Sequence, residues 1–512
     1  MNRNEFRSGY FQLFINIFTN VIAFGTSLCV SFVLTPYLIS NLGKDVYSFF
    51  PLANNFVNYM SIVIIALNSM AARFISIEIF KSNNVKAQEY ISSIFISNVF
   101  LSVFLLFSAV LIVCSLETLL NIPNSSIPDV KLLFALIFLS MIVNTLSSVF
   151  GVSVFAKNRL DLKAYKEIIQ GLLKGLLLLV LFLIYPPSII YLGIVAVGLS
   201  FTNFGIDFIF TRKLFPTYVI SFSYFRYNLV KEVLISGMWN SINSLGSILL
   251  LGMSLFLANI LIGPDASGEL SIVQTLSGFM CGIIVLIYSV FLPRMTEKYA
   301  NESYEHLAKE VRFSQKILSY FATTPTLLII LFGNSFFSLW MPGENSDYLQ
   351  CLSVISMIPL LVHGNMWTIY GLNMTLNKQK NPSITLILFG VLNIVLVYFD
   401  HILLKGNLIS LISISSFINV VYYLFYIPLY STRQLGIKKI YFYSHMIKTF
   451  IFCLVVVIFG MIFKNSLYIN SWGLFFFYNI IFGCLFLLLH VWFTLNRGEK
   501  EKLIVWVKKK IQ

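Results

Sequence analysis

Long apolar runs alternate with short polar segments along the whole chain. A helix that crosses the hydrocarbon core of a bilayer needs about 20 mostly apolar residues. Fourteen runs meet this requirement, and each predicts one membrane-spanning helix. Their approximate cores are 12–36, 47–71, 91–115, 132–155, 168–185, 189–210, 235–262, 270–292, 317–340, 349–373, 384–400, 407–430, 446–463 and 472–494. The pattern therefore predicts an all-α polytopic membrane protein with about fourteen transmembrane helices.

The composition agrees with lipid as the surrounding solvent. Of the 512 residues, 58% are hydrophobic and only 11% are charged, whereas soluble proteins carry about 25% charged residues. The first apolar run extends to about Ile39, which is too long for a cleaved signal peptide, so we expect it to remain as the first helix. The six cysteines form no Cys-x-x-Cys pair, which argues against a disulfide framework or a zinc site.

The basic residues lie almost entirely on one side of the predicted membrane. The chain has 35 Lys and Arg against 21 Asp and Glu, a formal net charge of +14. If the spans alternate from a cytoplasmic N-terminus, thirty of these cations fall in inner segments, four in outer segments and one, Lys174, inside a helix. The positive-inside rule then predicts that both termini are cytoplasmic. Because topology accounts for the basic excess, we expect contact with membrane lipids and no nucleic-acid partner. A short amphipathic helix is expected at the inner surface over 302–316.

Matching positions at an offset of 220 residues indicate that two halves of the chain repeat one another, with chance matching in an apolar sequence as the alternative. Phe150-Gly151 corresponds to Tyr370-Gly371, and Leu42-Gly43 corresponds to Ile262-Gly263. Both halves begin on the same side, so the repeat is parallel, which is typical of transporters that rock two bundles around a central site. The predicted organisation is a six-helix bundle at 1–215, a second six-helix bundle at 216–435, two additional transmembrane helices at 436–495 and a basic cytoplasmic tail at 496–512.

Polar residues inside the predicted spans are costly in lipid and therefore mark candidate functional positions. Amides are most frequent in the first, second, seventh and eighth spans, at spacings that place them on shared helix faces. The candidate substrate-binding residues, which would line a cavity, are Asn16, Asn20, Asn54, Asn58, Asn240, Asn243, Gln274 and Lys174. Interhelical hydrogen bonding is the alternative role for each amide. Snorkelling to the inner interface is the alternative for Lys174.

Charged residues near the inner ends of three spans form a second group of candidates. Arg73 and Arg294 close the second and eighth spans. Guanidinium groups at this inner mouth could grip the oxygens of a diphosphate in bidentate fashion, and anchoring of the helices at the interface is the alternative. Asp207, near the inner end of the sixth span, could pair with a cation that the sequence does not identify.

Sequence signatures of enzymatic chemistry are missing. The chain has no G-x-x-x-x-G-K-[ST] or G-x-G-x-x-G motif, no H-E-x-x-H or G-x-S-x-G motif, and no acidic cluster at metal-binding spacing. We therefore expect no cofactor, no metal ion, no catalytic residue and no enzymatic activity. The predicted outer segments are all under 20 residues, and the large outer loop expected of a membrane polymerase is not among them.

Five segments carry a resemblance to a known family. They are "TPYLISNLGKDVYSFF" (35–50), "ARFIS" (72–76), "FGVSVFAKNRLDLKAY" (150–165), "WNSINSLGSILLLGMSLFLANILIG" (239–263) and "YGLNMTLNKQKNPS" (370–383). In these segments and their order the chain resembles the polysaccharide-exporter branch of the MOP superfamily, the Wzx-type flippases of O-antigen or capsule repeat units. The resemblance implies two six-helix bundles in a MATE-like V, two further helices, and a location in the bacterial cytoplasmic (inner) membrane.

The same resemblance implies a function. The expected substrate is an undecaprenyl-diphosphate-linked oligosaccharide, moved from the inner to the outer leaflet by alternating access for O-antigen, capsular or exopolysaccharide biosynthesis. Other polysaccharide assembly proteins are further candidate partners. A cation-coupled multidrug antiporter of the related MATE type is the alternative, although fourteen spans and a single intramembrane carboxylate, Asp207, argue against it. A membrane glycosyltransferase or polysaccharide polymerase is a more distant alternative.

Overall fold

The computed structural model describes residues 3–157, 159–216, 218–301, 303–464, 469–496 and 500. Within these residues the regular structure is helical and no strand occurs. Fourteen helices are long and apolar enough to cross a membrane. The predicted all-α polytopic class and the number of spans are therefore confirmed. The predicted basic tail, 496–512, lies outside the described residues except for positions 496 and 500.

The fourteen helices follow one another with short connections. Those of the first half are α1 (Arg3–Leu42), α2 (Phe49–Phe80, after a single helical turn Lys44–Tyr47), α3 (Asn84–Cys114), α4 (Ile127–Ala156), α5 (Leu160–Ile184) and α6 (Ile190–Leu214). Those that follow are α7 (Tyr227–Ile262), α8 (Pro264–Asn301), α9 (Tyr304–Trp340), α10 (Ser346–Thr375), α11 (Lys380–Leu404), α12 (Leu408–Leu435), α13 (Tyr443–Lys464) and α14 (Trp472–Thr494).

Two glycines form the same kind of joint in the two halves of the sequence repeat. Gly43 separates α1 from α2 with φ 82°, and Gly263 separates α7 from α8 with φ 136°. Glycine adopts positive φ without the steric cost that a Cβ imposes. These positions belong to the Leu42-Gly43 and Ile262-Gly263 pairs, so the repeat in sequence coincides with a repeated backbone geometry.

Widened turns interrupt the outer half of α7. The segments Ile248–Gly252 and Ala258–Ile262 are π-helical, so their main-chain groups leave the regular hydrogen-bond ladder of the α-helix. The carbonyl oxygen of Gly252 accepts a hydrogen bond from the Tyr59 hydroxyl on α2 at 2.8 Å. The connection between α3 and α4 donates hydrogen bonds to main-chain carbonyl oxygens of the second segment. There Asn121 Nδ2 donates to the carbonyl oxygens of residues 259 and 260 at 2.9 and 3.2 Å.

The chain forms two compact units. The first consists of Met1–Ser271 and Ser383–Ile394, and the second consists of Ile272–Pro382 and Val395–Gln512. The boundary after residue 271 falls inside α8. The boundaries after residues 382 and 394 fall near the start and inside α11, respectively. The predicted division of the sequence into bundles at 1–215 and 216–435 stays a prediction.

Within the first unit, α2 and α7 approach each other so closely that glycine is required. A Cβ on Gly237 would lie 2.1 Å from the carbonyl oxygen of Ala66. Four residues further along α7, the Ser241 hydroxyl donates to the carbonyl oxygen of Ile62 at 2.6 Å. Val233 and Ile75 pack in the same buried core at the inner ends of these helices. Main-chain contact therefore sets the close approach of α2 and α7 in this structure.

A second close contact, again with glycine and polar groups, joins the start of α8 to the turn before α2. A Cβ on Gly268 would lie 2.6 Å from the carbonyl oxygen of Lys44. The Lys44 ammonium pairs with Glu269 at 3.1 Å, and the Ser267 hydroxyl lies 2.9 Å from that of Ser48. This contact requires both loops to lie on the same side of the membrane, in agreement with the alternation deduced from charge.

In the second unit, α9 packs against α13 and α14 through a buried polar cluster. His445 Nε2 lies 2.7 Å from the Ser319 hydroxyl, and His490 Nε2 lies 3.2 Å from the Thr449 hydroxyl. The helix predicted over 302–316 is present from Tyr304, but the prediction that it is short is wrong, because it continues without a break to Trp340 as α9. Gln315 is buried there and donates to the carbonyl oxygen of residue 442 at 3.0 Å, so this segment packs against the chain before α13.

Candidate substrate-binding site

A polar cavity of about 210 Å³ lies among α2, α4, α5 and α6 in the first unit. It brings together two of the residues predicted from sequence, Asn54 on α2 and Lys174 on α5. The polar side chains that line it are Asn54, Ser140, Asn144, Gln170, Lys174, Ser200 and Asn203. Among the described residues, no carboxylate belongs to this lining. The cavity is therefore cationic and rich in amides.

The polar lining arises from pairs of residues one helical turn apart. The pairs are Ser140 with Asn144 on α4, Gln170 with Lys174 on α5, and Ser200 with Asn203 on α6. Residues three or four apart lie above one another on one face of a helix. Each of these helices therefore turns one short polar patch toward the cavity. Sequence reasoning singled out Asn54 and Lys174 but missed these partners, and the paired spacing is the signal that could have found them.

Lys174 is the cation of the cavity. Its Nζ lies 5.4 Å from the centre of the Phe50 ring on α2, a distance at which the face of the ring attracts a cation. None of the ion pairs found among the described residues includes Lys174. A charge within a membrane-spanning segment is costly unless it is paired. This position therefore favours an anionic group of a ligand.

Two amide atoms of the cavity remain available for hydrogen bonds with a ligand. Asn203 Nδ2 donates to Asn144 Oδ1 at 3.0 Å, and Asn54 Nδ2 donates to the carbonyl oxygen of Phe50 at 2.9 Å. In contrast, Gln170 Nε2 and Asn203 Oδ1 are buried without a hydrogen-bond partner in the part of the chain that the structure describes. A buried polar atom without a partner costs about 1–3 kcal/mol. A ligand hydroxyl, which both donates and accepts, can satisfy both kinds of atom.

An ion pair lies one turn further toward the inner ends of α5 and α6. Lys166, four residues before Gln170, places its Nζ 2.7 and 2.9 Å from the two carboxylate oxygens of Asp207, four residues after Asn203. The Ser147 hydroxyl on α4 donates to the same carboxylate at 3.0 Å. Lys166 is therefore the cation partner of Asp207 that the sequence did not identify. With its carboxylate neutralised, Asp207 adds no free negative charge beside the cavity.

The amides predicted on α1 lie outside the cavity lining. Asn16 is buried, and its Oδ1 accepts hydrogen bonds from Gln12 Nε2 and from the main-chain N–H of Asp161, both at 3.0 Å. Asn20 Nδ2 donates to the carbonyl oxygen of Asn16 at 2.6 Å. Asp161 in turn pairs with Arg159 at 3.0 Å. These contacts join the start of α1 to the start of α5, as expected for interhelical hydrogen bonding.

The remaining predicted amides are distributed along α2, α7 and α8 and do not line this cavity. Asn240 Nδ2 donates to the Ser69 hydroxyl on α2 at 3.1 Å. Asn58 is exposed, while Asn243 and Gln274 are partly exposed. The structure brings Asn240 to the seam between α2 and α7, and the role of the others in binding a substrate stays a prediction.

Both arginines predicted at the inner mouth are exposed. Arg73 lies in the last third of α2, and Arg294 lies toward the end of α8. Neither takes part in an ion pair found among the described residues, so each guanidinium can meet a ligand. Within the same described residues, no group of three His, Cys, Asp or Glu side chains is placed to hold a metal ion.

The chain is similar in sequence to a membrane protein of another organism. No protein-family model matches the chain. The sequence is 27% identical over 431 residues to the uncharacterized membrane protein EpsK of Bacillus subtilis (strain 168), which covers 83% of this chain and 84% of that protein. The relative is similar to this chain in length, and it too is a membrane protein.

Solved structures share the arrangement of helices. The structure of the lipid II flippase MurJ in an inward closed conformation aligns with a TM-score of 0.68, covering 94% of this chain and 98% of that one at 13% identity. An inward-facing multidrug resistance MATE family transporter of the MOP superfamily aligns with a TM-score of 0.63, covering 81% and 94% at 14% identity. The protein therefore has the fold of MOP-superfamily flippases and transporters.

Proposed function

We propose that the protein is a flippase that moves an undecaprenyl-diphosphate-linked oligosaccharide from the inner to the outer leaflet of the bacterial cytoplasmic membrane. The observation that carries this proposal is the cavity around Lys174, where a cation lies among amides and hydroxyls and, within the described residues, no carboxylate joins the lining. The likeness to a lipid II flippase over 94% of the chain supports the same class of substrate.

The chemistry of the cavity fits the polar part of such a substrate. A diphosphate and several sugars lose their hydration when they cross about 30 Å of hydrocarbon. Lys174 would supply a point charge to a phosphate oxygen. Gln170 and Asn203, each with an unsatisfied polar atom, would replace part of the water around sugar hydroxyls. The polyprenyl chain would stay in the surrounding lipid, because it needs no polar partner.

Two contacts support transport by alternating access. The contact between the turn before α2 and the start of α8 consists of an ion pair and a hydroxyl pair, whose groups can separate and become hydrated. The contact between α2 and α7 at Gly237 is made by main-chain atoms in the membrane-spanning part. In the proposed cycle these two contacts open in turn, so the substrate headgroup reaches one leaflet at a time.

Complementation of a gene deletion tests the proposal. The deletion strain should accumulate lipid-linked oligosaccharide in the inner leaflet and lose surface polysaccharide. The wild-type chain should restore export, whereas Lys174→Gln should lower it about tenfold, if the lost phosphate contact contributes about 1.4 kcal/mol. Lys163→Gln, an exposed cation on the same helix, is the matched control and should export normally.

The same strains discriminate the alternative function. The MATE neighbours leave a cation-coupled multidrug antiporter as the second candidate. Normal surface polysaccharide in the deletion strain, together with increased sensitivity to cationic drugs, would reject the flippase proposal and favour the antiporter.

A further inference from the structure

A second and larger cavity, of about 420 Å³, lies at the inner ends of α2, α3, α4 and α6. Its volume is within the range of about 300–1,000 Å³ that is common for ligand pockets. Most of its lining is aromatic or aliphatic, and no carboxylate of the described residues takes part. Its lining includes Phe95, Phe150, Phe204, Phe208, Arg212 and Phe215.

The few hydroxyls in this lining are already satisfied by the protein. The Thr211 hydroxyl donates to the carbonyl oxygen of Phe150 at 2.7 Å, and the Ser153 hydroxyl donates to the same oxygen at 2.9 Å. Neither group therefore needs a polar ligand. The cavity presents a hydrocarbon surface, unlike the cavity at Lys174, whose amides retain unsatisfied atoms. The two cavities use different faces of α6 and are separate sites.

Two cations stand beside this apolar surface. The Arg212 guanidinium lies 5.2 Å from the centre of the Phe208 ring, and Lys157 Nζ lies 4.9 Å from the centre of the Phe215 ring. Both cations are exposed, and both rings line the cavity. A ligand that fills the cavity with an apolar chain would thus have its polar end next to positive charge.

The connection between α6 and α7 forms a prearranged wall of this cavity. The main-chain N–H of Val219 donates to Gln88 Oε1 at 3.1 Å, and the Tyr218 hydroxyl donates to Asn84 Oδ1 at 3.3 Å, both on α3. Burial raises the pKa of the Tyr218 hydroxyl above its ordinary value, so the hydroxyl stays a neutral donor. The N–H of Arg226 donates to the Ser93 hydroxyl at 2.8 Å. These bonds hold the wall against the helices.

We infer that this cavity binds one chain of an anionic phospholipid, with its phosphate between Arg212 and Lys157. The apolar lining matches a hydrocarbon chain, and the charge of the two cations is complementary to a phosphate. The cavity lies at the end of the helices that the charge pattern assigns to the cytoplasm. Basic pockets between helices on that side are suited to anionic lipid headgroups. Such a lipid would stabilise the packing of α2, α3, α4 and α6 and would be distinct from the transported substrate.

Photo-cross-linking of the full-length protein in vesicles tests this inference. The probes are phosphatidylglycerol and phosphatidylcholine that carry a photoreactive group on one chain, each in vesicles of otherwise equal composition. Phosphatidylglycerol should label peptides that contain Phe95, Phe204 or Phe208 more strongly than phosphatidylcholine. The preference should fall about fivefold for each cation removed in Arg212→Gln and Lys157→Gln, since one cation near the surface contributes about 1 kcal/mol.

A neighbouring cation and a competing lipid serve as controls. Lys213→Gln removes an exposed cation next to Arg212 that does not line the cavity, and it should keep the wild-type preference. Equal labelling by the two lipids, or an unchanged preference in Arg212→Gln, would overturn the inference. Competition on the wild-type protein needs no variant: excess unlabelled phosphatidylglycerol should displace the probe, and displacement by undecaprenyl phosphate alone would assign the cavity to the substrate chain instead.

Discussion

Replacing Asp207 with asparagine would remove one partner of a buried ion pair while keeping the shape of the side chain. Lys166 Nζ lies 2.7 Å from the carboxylate, and the two side chains are only 12% and 7% exposed. The Ser147 hydroxyl, now 3.0 Å from the carboxylate, could still donate to the amide oxygen. The main loss is therefore the charge that compensates Lys166. Leaving one buried charge uncompensated costs about 3–5 kcal/mol, and we expect Asp207→Asn to lower the free energy of unfolding by this amount.

The same helix provides a matched control. Lys163 and Glu167 on α5 are 3.7 Å apart, and their side chains are 59% and 45% exposed. Glu167→Gln breaks an ion pair of the same kind in an exposed setting, where the expected cost is about 0.3–0.5 kcal/mol. Unfolding by sodium dodecyl sulfate in mixed micelles, followed by circular dichroism, would measure both free energies under identical conditions.

A double variant tests the physical reason for the cost. If an uncompensated charge destabilises Asp207→Asn, the double variant Lys166→Met with Asp207→Leu should recover most of the loss, because apolar replacements of a buried pair are often neutral or stabilising. Equal losses for Asp207→Asn and Glu167→Gln would refute the claim that burial makes the first pair important. A double variant as unstable as the single one would attribute the cost to packing.

Two further predictions concern the α2–α7 seam and the inner mouth. Gly237→Ala should destabilise the protein by about 1–3 kcal/mol, as overpacking does, because the clash with the Ala66 carbonyl oxygen cannot be relieved by rotation of a side chain. Gly278→Ala, on α8 with no atom within 4 Å of the added Cβ, is the control and should cost nothing when both variants are unfolded by sodium dodecyl sulfate in mixed micelles. The double variant Arg73→Ala with Arg294→Ala should lower polysaccharide export at normal membrane levels, and unchanged export would leave both arginines as interface anchors.

The number and order of the helices could be predicted from sequence because lipid demands long apolar runs. Each of the fourteen predicted cores lies within or largely within an observed helix. The helix ends were harder to predict, since helices continue beyond the apolar core. α9 begins at Tyr304, although its predicted core begins at 317, because buried contacts such as that of Gln315 extend the helix into polar sequence.

The candidate site could be predicted only in part. Lys174 and Asn54 stand out because an isolated polar group in an apolar run is unusual, yet Asn16 and Asn20 stand out equally and contact the start of α5 or their own helix instead. What separates these amides is the identity of the neighbouring helix, which depends on tertiary packing. The pairing of Lys166 with Asp207 likewise depends on the contact of α5 with α6.

The π-helical turns of α7 have a consequence for how mutations should act on this helix. At residues 250, 252, 259 and 260, the acceptors that hold α7 in place are main-chain carbonyl oxygens, and the donors are Asn393, Tyr59 and Asn121 on other parts of the first unit. A substitution at residue 250, 252 or 260 leaves those oxygens in place, whereas Asn259 also contributes its side chain, whose Oδ1 accepts a hydrogen bond from the main-chain N–H of Asn121 at 2.9 Å. At these two turns, changes in the anchoring of α7 would therefore arise in the three distant donors or at Asn259.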